Sequence, residues 1–229
     1  MIKLFGAVVI LILLSSTSGG LVATNDREIG EVISSNDEFQ IIPIGKASHT
    51  VLGEFGTATT CGYCKYAHGA LKEIQTDGIH DFYYVSMVYN KNTHAAQRLI
   101  TDYNVYGFPT VFFDGGYQVK VGAGSIPGAK AAYESAINVC GARAVPDINA
   151  ELSVIWIDDA TMDITVTVKN NEPNDYDGTI RVYVTEIEST LGWKDTAGYP
   201  YTFAFLDYAF NQEISIPAGG SWEATTVWD

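Results

Sequence analysis

The sequence predicts an α/β domain followed by an all-β sandwich, and three observations carry that reading. An apolar run containing Val51, Leu52 and Phe55 leads through residues 56–60 into Cys61-Gly62-Tyr63-Cys64, where a helical pattern begins. Strand-like and helix-like segments then alternate as far as residue 143. After Pro146 the composition changes to short strands punctuated by turn residues. Alternation of the two periods argues for an α/β layer structure, and a run of strands with regular turns argues for a sandwich.

The first 23 residues read as a secretory signal. Lys3 supplies the positive start, residues 4–14 are an apolar run of 11, and Ser15-Ser16-Thr17-Ser18-Gly19 offer small residues for cleavage near Ser18 to Ala23. The run is short for a bilayer span, which takes about 20 residues; an uncleaved anchor is the alternative. The mature chain is therefore expected to be exported, to the periplasm, the cell surface or the medium, without a membrane span. A disulfide persists in such a compartment. Residues 24–46 read as a linker or a leading strand, because Pro43 within the apolar patch 39–44 is tolerated only at a sheet edge.

Residues 47–143 form the expected α/β domain. A strand over 51–55 and a loop over 56–60 bring Cys61 and Cys64 to a helix start. Unpaired backbone N–H groups and the positive end of the helix dipole favour a thiolate there, the form that attacks disulfides. The same C-x-x-C could be half of a zinc site, with His68 as a third local ligand. No second C-x-x-C exists, and His49, His80 and His94 fall in no ligand-like spacing, so no metal or other cofactor is expected. His68 reads as an exposed or half-buried helix residue. A helix over 64–76 ending at Gly78, a central strand over 82–89, a helix over 94–103, a hairpin around Asp114-Gly115-Gly116 and a helix over 129–139 complete the domain. Cys140, between Val139 and Ala142, reads as a free buried cysteine.

The dithiol after a strand, followed by helix, strand and helix, and then Gly107-Phe108-Pro109-Thr110 before a hairpin, resembles the thioredoxin superfamily over residues 48–142. The resemblance implies that Cys61 is the exposed nucleophile and Cys64 the buried resolving sulfur. It implies that Pro109 is a cis-proline set against the dithiol, that Phe108 offers backbone groups to an extended substrate peptide, and that Tyr63 borders the substrate. Glu54 resembles the buried acid beneath the resolving cysteine. One more residue separates Glu54 from the first cysteine than in thioredoxin, and Thr60 replaces the usual tryptophan.

From 146 to 229 the strands are expected at 148–157, 162–168, 179–187, 213–216 and 222–228, and they suggest an immunoglobulin-like sandwich. The aromatic stretch 191–211 is expected as a long loop crossing between sheets. Five strands fall short of the usual seven, so the sandwich is expected to be incomplete, with an open edge for a strand donor. The pairing of the two domains is similar to the bacterial envelope family related to outer-membrane protein 28.

Residues 144–229 hold 15 acids and 3 bases, within a chain of net charge −14. Such acidity argues against nucleic acid and anionic lipid surfaces. The loop 170–178 gathers oxygen ligands but lacks the EF-hand spacing, and an acidic solvated loop is the simpler reading. Three functions follow. An exported thiol–disulfide oxidoreductase acts on protein thiols or disulfides with a redox partner. An envelope binding protein uses the first domain as scaffold around a non-exchanging disulfide. A copper or zinc chaperone is the third, although the chain's methionines, Met1, Met87 and Met162, form no cluster.

Overall fold

The computed structural model describes residues 8–16, 30–35, 38–43, 47–158 and 161–229, with side chains over 47–157 and 161–229. In chain order the elements are β1 (Val8–Ser16), β2 (Gly30–Ser35), β3 (Glu38–Pro43), β4 (Val51–Thr57), α1 (Cys64–Asp77), β5 (Phe82–Val88), α2 (Thr93–Gln97), β6 (Thr110–Phe113), β7 (Gln118–Val121), α3 (Ile126–Gly141), β8 (Ile148–Asp158), β9 (Thr161–Asn170), β10 (Tyr176–Glu188), β11 (Thr202–Ile216) and β12 (Ser221–Trp228).

The α/β part is organised around β4, which runs parallel to β5 and antiparallel to β6, with β7 completing a hairpin. Every residue of β4 is buried, as expected of a strand covered on both faces. Its alternate side chains serve two cores. Val51 and Phe55 pack with Leu71 and Ile74 of α1 and with Tyr133 of α3, while Leu52 packs with Val85, Leu99 and Phe112 on the opposite face.

Helix α1 ends at Gly78, whose φ of 64° is the left-handed conformation glycine adopts without strain. Helix α3 begins at Ile126, earlier than the sequence suggested. Pro127 is accommodated in the first turn, where no N–H is required, and the Ser125 hydroxyl caps Gly128 N–H. The helix expected over 94–103 is α2 followed by a π-helical turn, Arg98–Asp102.

The largest departure concerns the aromatic stretch 191–211. From Thr202 onward it is strand, and β11 is 15 residues long. It joins the α/β sheet through a parallel pairing of Ala204 with Ser86 of β5, giving a seven-stranded sheet in the order β1-β10-β11-β5-β4-β6-β7. Two register shifts between β10 and β11, at Val182/Tyr183 and Val184/Thr185, divide this pair. Beyond them Tyr201, Phe203 and Ala204 enter one α/β core and Tyr183 and Phe205 enter the other. Bulges bend and twist a strand, which lets one strand serve two layers. Burial on both faces over residues 202–205 also explains the missing alternation there, as a doubly covered strand does not alternate.

The other halves of β10 and β11 face a second sheet, β12-β9-β8, across a core of Ile164, Val166, Val168, Ile180, Val182 and Ile214. This is the sandwich, and four of its five strands from 148 onward lie close to those expected, while β11 begins at Thr202 rather than at 213. Within loop 170–178 the oxygen-rich side chains serve the backbone: Glu172 accepts from Asp147 N–H and Asp175 from Ala218 N–H.

Residues 38–43 pair with β2 in a separate two-stranded sheet. Of the expected signal segment, residues 1–7 and 17–23 lie outside the described residues. Val8–Ser16 pairs antiparallel with the outer edge of β10, Ile12 beside Val182. Among the described residues, no helix is long and apolar enough to cross a membrane.

Because β10 and β11 complete both α/β cores, the two regions are expected to unfold together. Phe205→Ala should cost about 3–5 kcal/mol. All four tryptophans lie after residue 146, so urea unfolding followed by their fluorescence should coincide with that followed by far-ultraviolet dichroism. Two separated transitions would show that the regions fold independently.

Candidate functional site

Strand β4 ends at Thr57, and the chain turns through residues 58–63 into α1. Cys61 N–H donates to the Ala58 carbonyl at 3.0 Å and Cys64 N–H to the Cys61 carbonyl at 3.3 Å, which folds the C-x-x-C segment into a tight turn. Cys61 and Cys64 are joined in a disulfide with Cα atoms 5.4 Å apart. Cys61 is half-buried, whereas Cys64 is fully buried beside Phe55, Ala67 and Leu71. One sulfur is therefore reachable from solvent and the other is held inside. No acidic residue stands in the first turn of α1, so the positive end of the helix is left to stabilise negative charge on a sulfur there. Tyr63, at the cap position, is 65% exposed.

The Phe108–Pro109 bond is cis. Thr110 pairs with Gly56, which sets Pro109 at the end of β4 from which the dithiol turn departs. Phe108 is half-buried, packs against the same core as Cys61, and its ring centroid lies 5.3 Å from that of Tyr89. A Cβ on Gly56 would stand 2.9 Å from Leu99 Cδ2 and 3.3 Å from the Thr110 carbonyl oxygen, so glycine permits this close approach. Pro109, Phe108, Tyr63 and both cysteines thus gather at one end of the central strands.

Glu54 does not join them. The thioredoxin resemblance implies a place beneath Cys64; the structure places Glu54 on the opposite face of β4, bound to Arg98 after α2. Side chains alternate along a strand, so a one-residue offset changes the face. The extra residue between Glu54 and Cys61 does this, and Phe55 packs with Cys64 instead. Glu54 is wholly buried and bound by Arg98, with Nε 2.9 Å from Oε1 and Nη2 2.9 Å from Oε2. The Tyr183 hydroxyl donates to Oε1 at 2.9 Å and the Tyr103 hydroxyl to Oε2. Burial by itself would raise the Glu54 pKa, but the charge and hydrogen bonds of Arg98, with both hydroxyls, outweigh it and hold the carboxyl below its ordinary range. Tyr183 belongs to β10, so this pair also ties the C-terminal strands to the α/β part.

His68 is another residue whose surroundings differ from expectation. It is 2% exposed, one helical turn after Cys64. Its Nδ1 lies 2.9 Å from Asp195 Oδ2, and its Nε2 is 3.1 Å from Thr202 Oγ1 and 3.3 Å from Thr202 N. An accepting Nε2 leaves Nδ1–H to donate to Asp195. Asp195 Oδ1 in turn accepts from Ala197 and Tyr199 N–H. Burial raises the Asp195 pKa, and the bonds from His68, Tyr199 and Ala197 more than offset it, leaving the carboxyl below its usual range. Residues 193–201 are held in this way against α1. Trp193 packs against the same core as Cys61, and Thr196 Oγ1 lies 3.4 Å from the Cys61 carbonyl oxygen. Asp195, Trp193 and Tyr201 were missed in the sequence; the aromatic density of 191–211 was the signal available.

Cys140 is unpaired and buried, and burial, with Asp114 nearby, pushes its thiol up to about 12. Among the described residues no cluster of three or more His, Cys, Asp or Glu could hold a metal ion.

Glu54→Gln should destabilise the protein by about 3 kcal/mol, since it removes the bidentate counter-charge of buried Arg98 and leaves it only Asp102, whose Oδ2 lies 2.8 Å from Nη1. Glu54 binds its proton more weakly folded than unfolded, so its contribution is full above the ordinary carboxylate range and fades as pH falls through the folded value. The stability gap between wild type and variant, measured by urea unfolding across acid pH, should narrow accordingly. The pH dependence of dithiol exchange should be the same in both; a changed profile would return Glu54 to the active site.

The thioredoxin family model matches residues 31–135. No curated protein matches the chain. Among solved structures, HBP35 of Porphyromonas gingivalis is similar in fold, with a TM-score of 0.54 and 15% identity over 78% of this chain. The chain spans 63% of the length of HBP35. A protein from Agrobacterium tumefaciens shows 16% identity over 77% of each chain, with a TM-score of 0.45. With the disulfide at a helix start, the cis-proline and the β4-centred sheet in place, residues 31–135 match the thioredoxin family and form a thioredoxin-like α/β domain, in a chain that continues into a strand-rich C-terminal sandwich.

Proposed function

We propose that the protein is an exported thiol–disulfide oxidoreductase acting on protein substrates. The observation that carries this reading is the pairing of a reachable Cys61 with a buried Cys64 at the start of α1. In the reducing direction the Cys61 thiolate attacks a substrate disulfide. The new bond joins Cys61 to one substrate sulfur, and the other leaves as a thiolate that takes a proton from solvent. Cys64 then loses its proton and attacks Cys61 Sγ, releasing the second substrate thiolate and restoring the Cys61–Cys64 disulfide. Two electrons pass from the pair to the substrate, and a redox partner must return them. The oxidising direction is the same sequence reversed. With Glu54 on the far face, β4 supplies no carboxylate beside Cys64 to take that proton.

Export rests on Lys3, the apolar run 4–14 and the small residues after it, together with a disulfide of the kind that persists in oxidising compartments. Removal of such a signal would take β1 from β10 and open that edge to a donated strand. The competing reading, a binding protein with an inert disulfide, draws on the closeness of residues 193–201 to Cys61. The partial exposure of Cys61 favours exchange.

The deciding experiment equilibrates the mature protein with glutathione and uses Cys64→Ser to trap mixed disulfides. A potential near about −120 mV would mark a donor of disulfides, and one near about −270 mV a reductant. Either outcome, with proteins trapped on Cys61, supports the proposal. A pair that ignores glutathione and traps nothing would make the disulfide structural.

A further inference from the structure

The charge of the molecule is distributed unevenly around the dithiol. The chain carries 27 acids and 13 bases. The four segments that frame the site, residues 56–66, 89–94, 104–110 and 190–202, contain a single acid, Asp195, and it is buried against His68. They contain three lysines: Lys91 and Lys194 are exposed, and Lys65 is half-exposed with Nζ 5.2 Å from the Tyr66 ring centroid. These segments therefore carry lysines and no exposed acid around the reachable sulfur, and two acids just outside them are engaged, Asp207 by His94 and Glu186 by Thr190.

The same face shows aromatic rings to solvent. Tyr63 is 65% exposed and Tyr199 is 66% exposed. Tyr199 stands on the segment that Asp195 and His68 fix against α1, and Thr196 of that segment lies beside the dithiol turn. Residues 193–201 belong to the C-terminal region, and they form one wall of the site.

We propose that this face takes an extended, cysteine-bearing stretch of polypeptide that is acidic and carries an aromatic residue beside the reacting sulfur, and that residues 193–201 are the selecting wall. The inference rests on the oxidoreductase reading above and names its substrate class. The lysines steer carboxylates toward Cys61, and steering of this kind changes association rates by about tenfold or more at low salt. Exposed tyrosines add directional ring contacts. The His68–Asp195 contact holds the wall in register with the helix that carries both cysteines.

The test uses the reduced mature protein and short single-cysteine peptides presented as disulfide-linked dimers. One peptide has tyrosine beside cysteine and glutamate flanks, a second has lysine flanks, and a third is the acidic peptide with alanine in place of tyrosine. At low salt the acidic peptide should exchange about tenfold faster than the basic one, and the ratio should collapse in high salt as charges are screened. Removing tyrosine from the peptide should slow exchange about threefold. Lys91→Glu/Lys194→Glu should cancel or invert the acidic preference; the salt series on wild type gives the same answer should that variant fold poorly. Equal rates for acidic and basic peptides at low salt would overturn this inference alone. Failure to exchange with any peptide or with glutathione would overturn the oxidoreductase reading and this inference with it.

Discussion

A carboxylate enclosed at the centre of a sheet is tolerated only when its charge is matched, and the middle of this molecule is arranged to match Glu54. Leaving such a pair half-made costs several kcal/mol. The guanidinium comes from the π-helical turn after α2, one hydroxyl from Tyr103 of the following segment, and the other from Tyr183 on β10. Arg98 also stacks over the Tyr103 ring, 4.2 Å from its centroid, and Tyr103 lies 3.8 Å from the Phe112 ring. Two distant parts of the chain, residues 98–103 and strand β10, thus converge on one side chain. The face of β4 opposite the dithiol is consequently structural, and it fixes the C-terminal strands against the α/β part.

The dithiol face depends on a second buried polar contact, between His68 and Asp195. Its role differs from that of Glu54 and Arg98. Glu54 ties core to core, whereas Asp195 ties a surface segment to the helix that carries the redox pair. The two contacts sit on opposite faces of the same sheet. Together they explain how a C-terminal region remote in sequence can take part in a site whose chemistry lies in residues 61–64.

The dithiol, the proline at the head of β6 and the order of elements were legible because each is a local signal: a spacing, a turn residue or a change of period. The strands of the sandwich were legible where one face is solvated, as in β9, whose buried and half-buried residues alternate without a break from Thr161 to Val168. Only residues 213–216 of β11 were legible; its start at 202–205 was not, because burial on both faces removes the alternation that marks a strand. Glu54 was legible as a buried acid and misread in direction, since motif spacing counts residues while a strand assigns faces by parity. The partners of His68 lie more than a hundred residues away, and no local pattern points to them.

The shared strand has a consequence for biosynthesis. Ala204, which closes the edge of β5, follows Cys64 by well over a hundred residues in the chain. While the chain emerges, Cys61, Cys64 and Cys140 are all made before the strand that completes their cores. Domains usually fold from the N-terminus as they are synthesised, but here the first core stays unfinished until nearly the whole chain is available. The cores that enclose Cys64 and Cys140 are therefore complete only when the last strands have been made, although both cysteines come early in the chain.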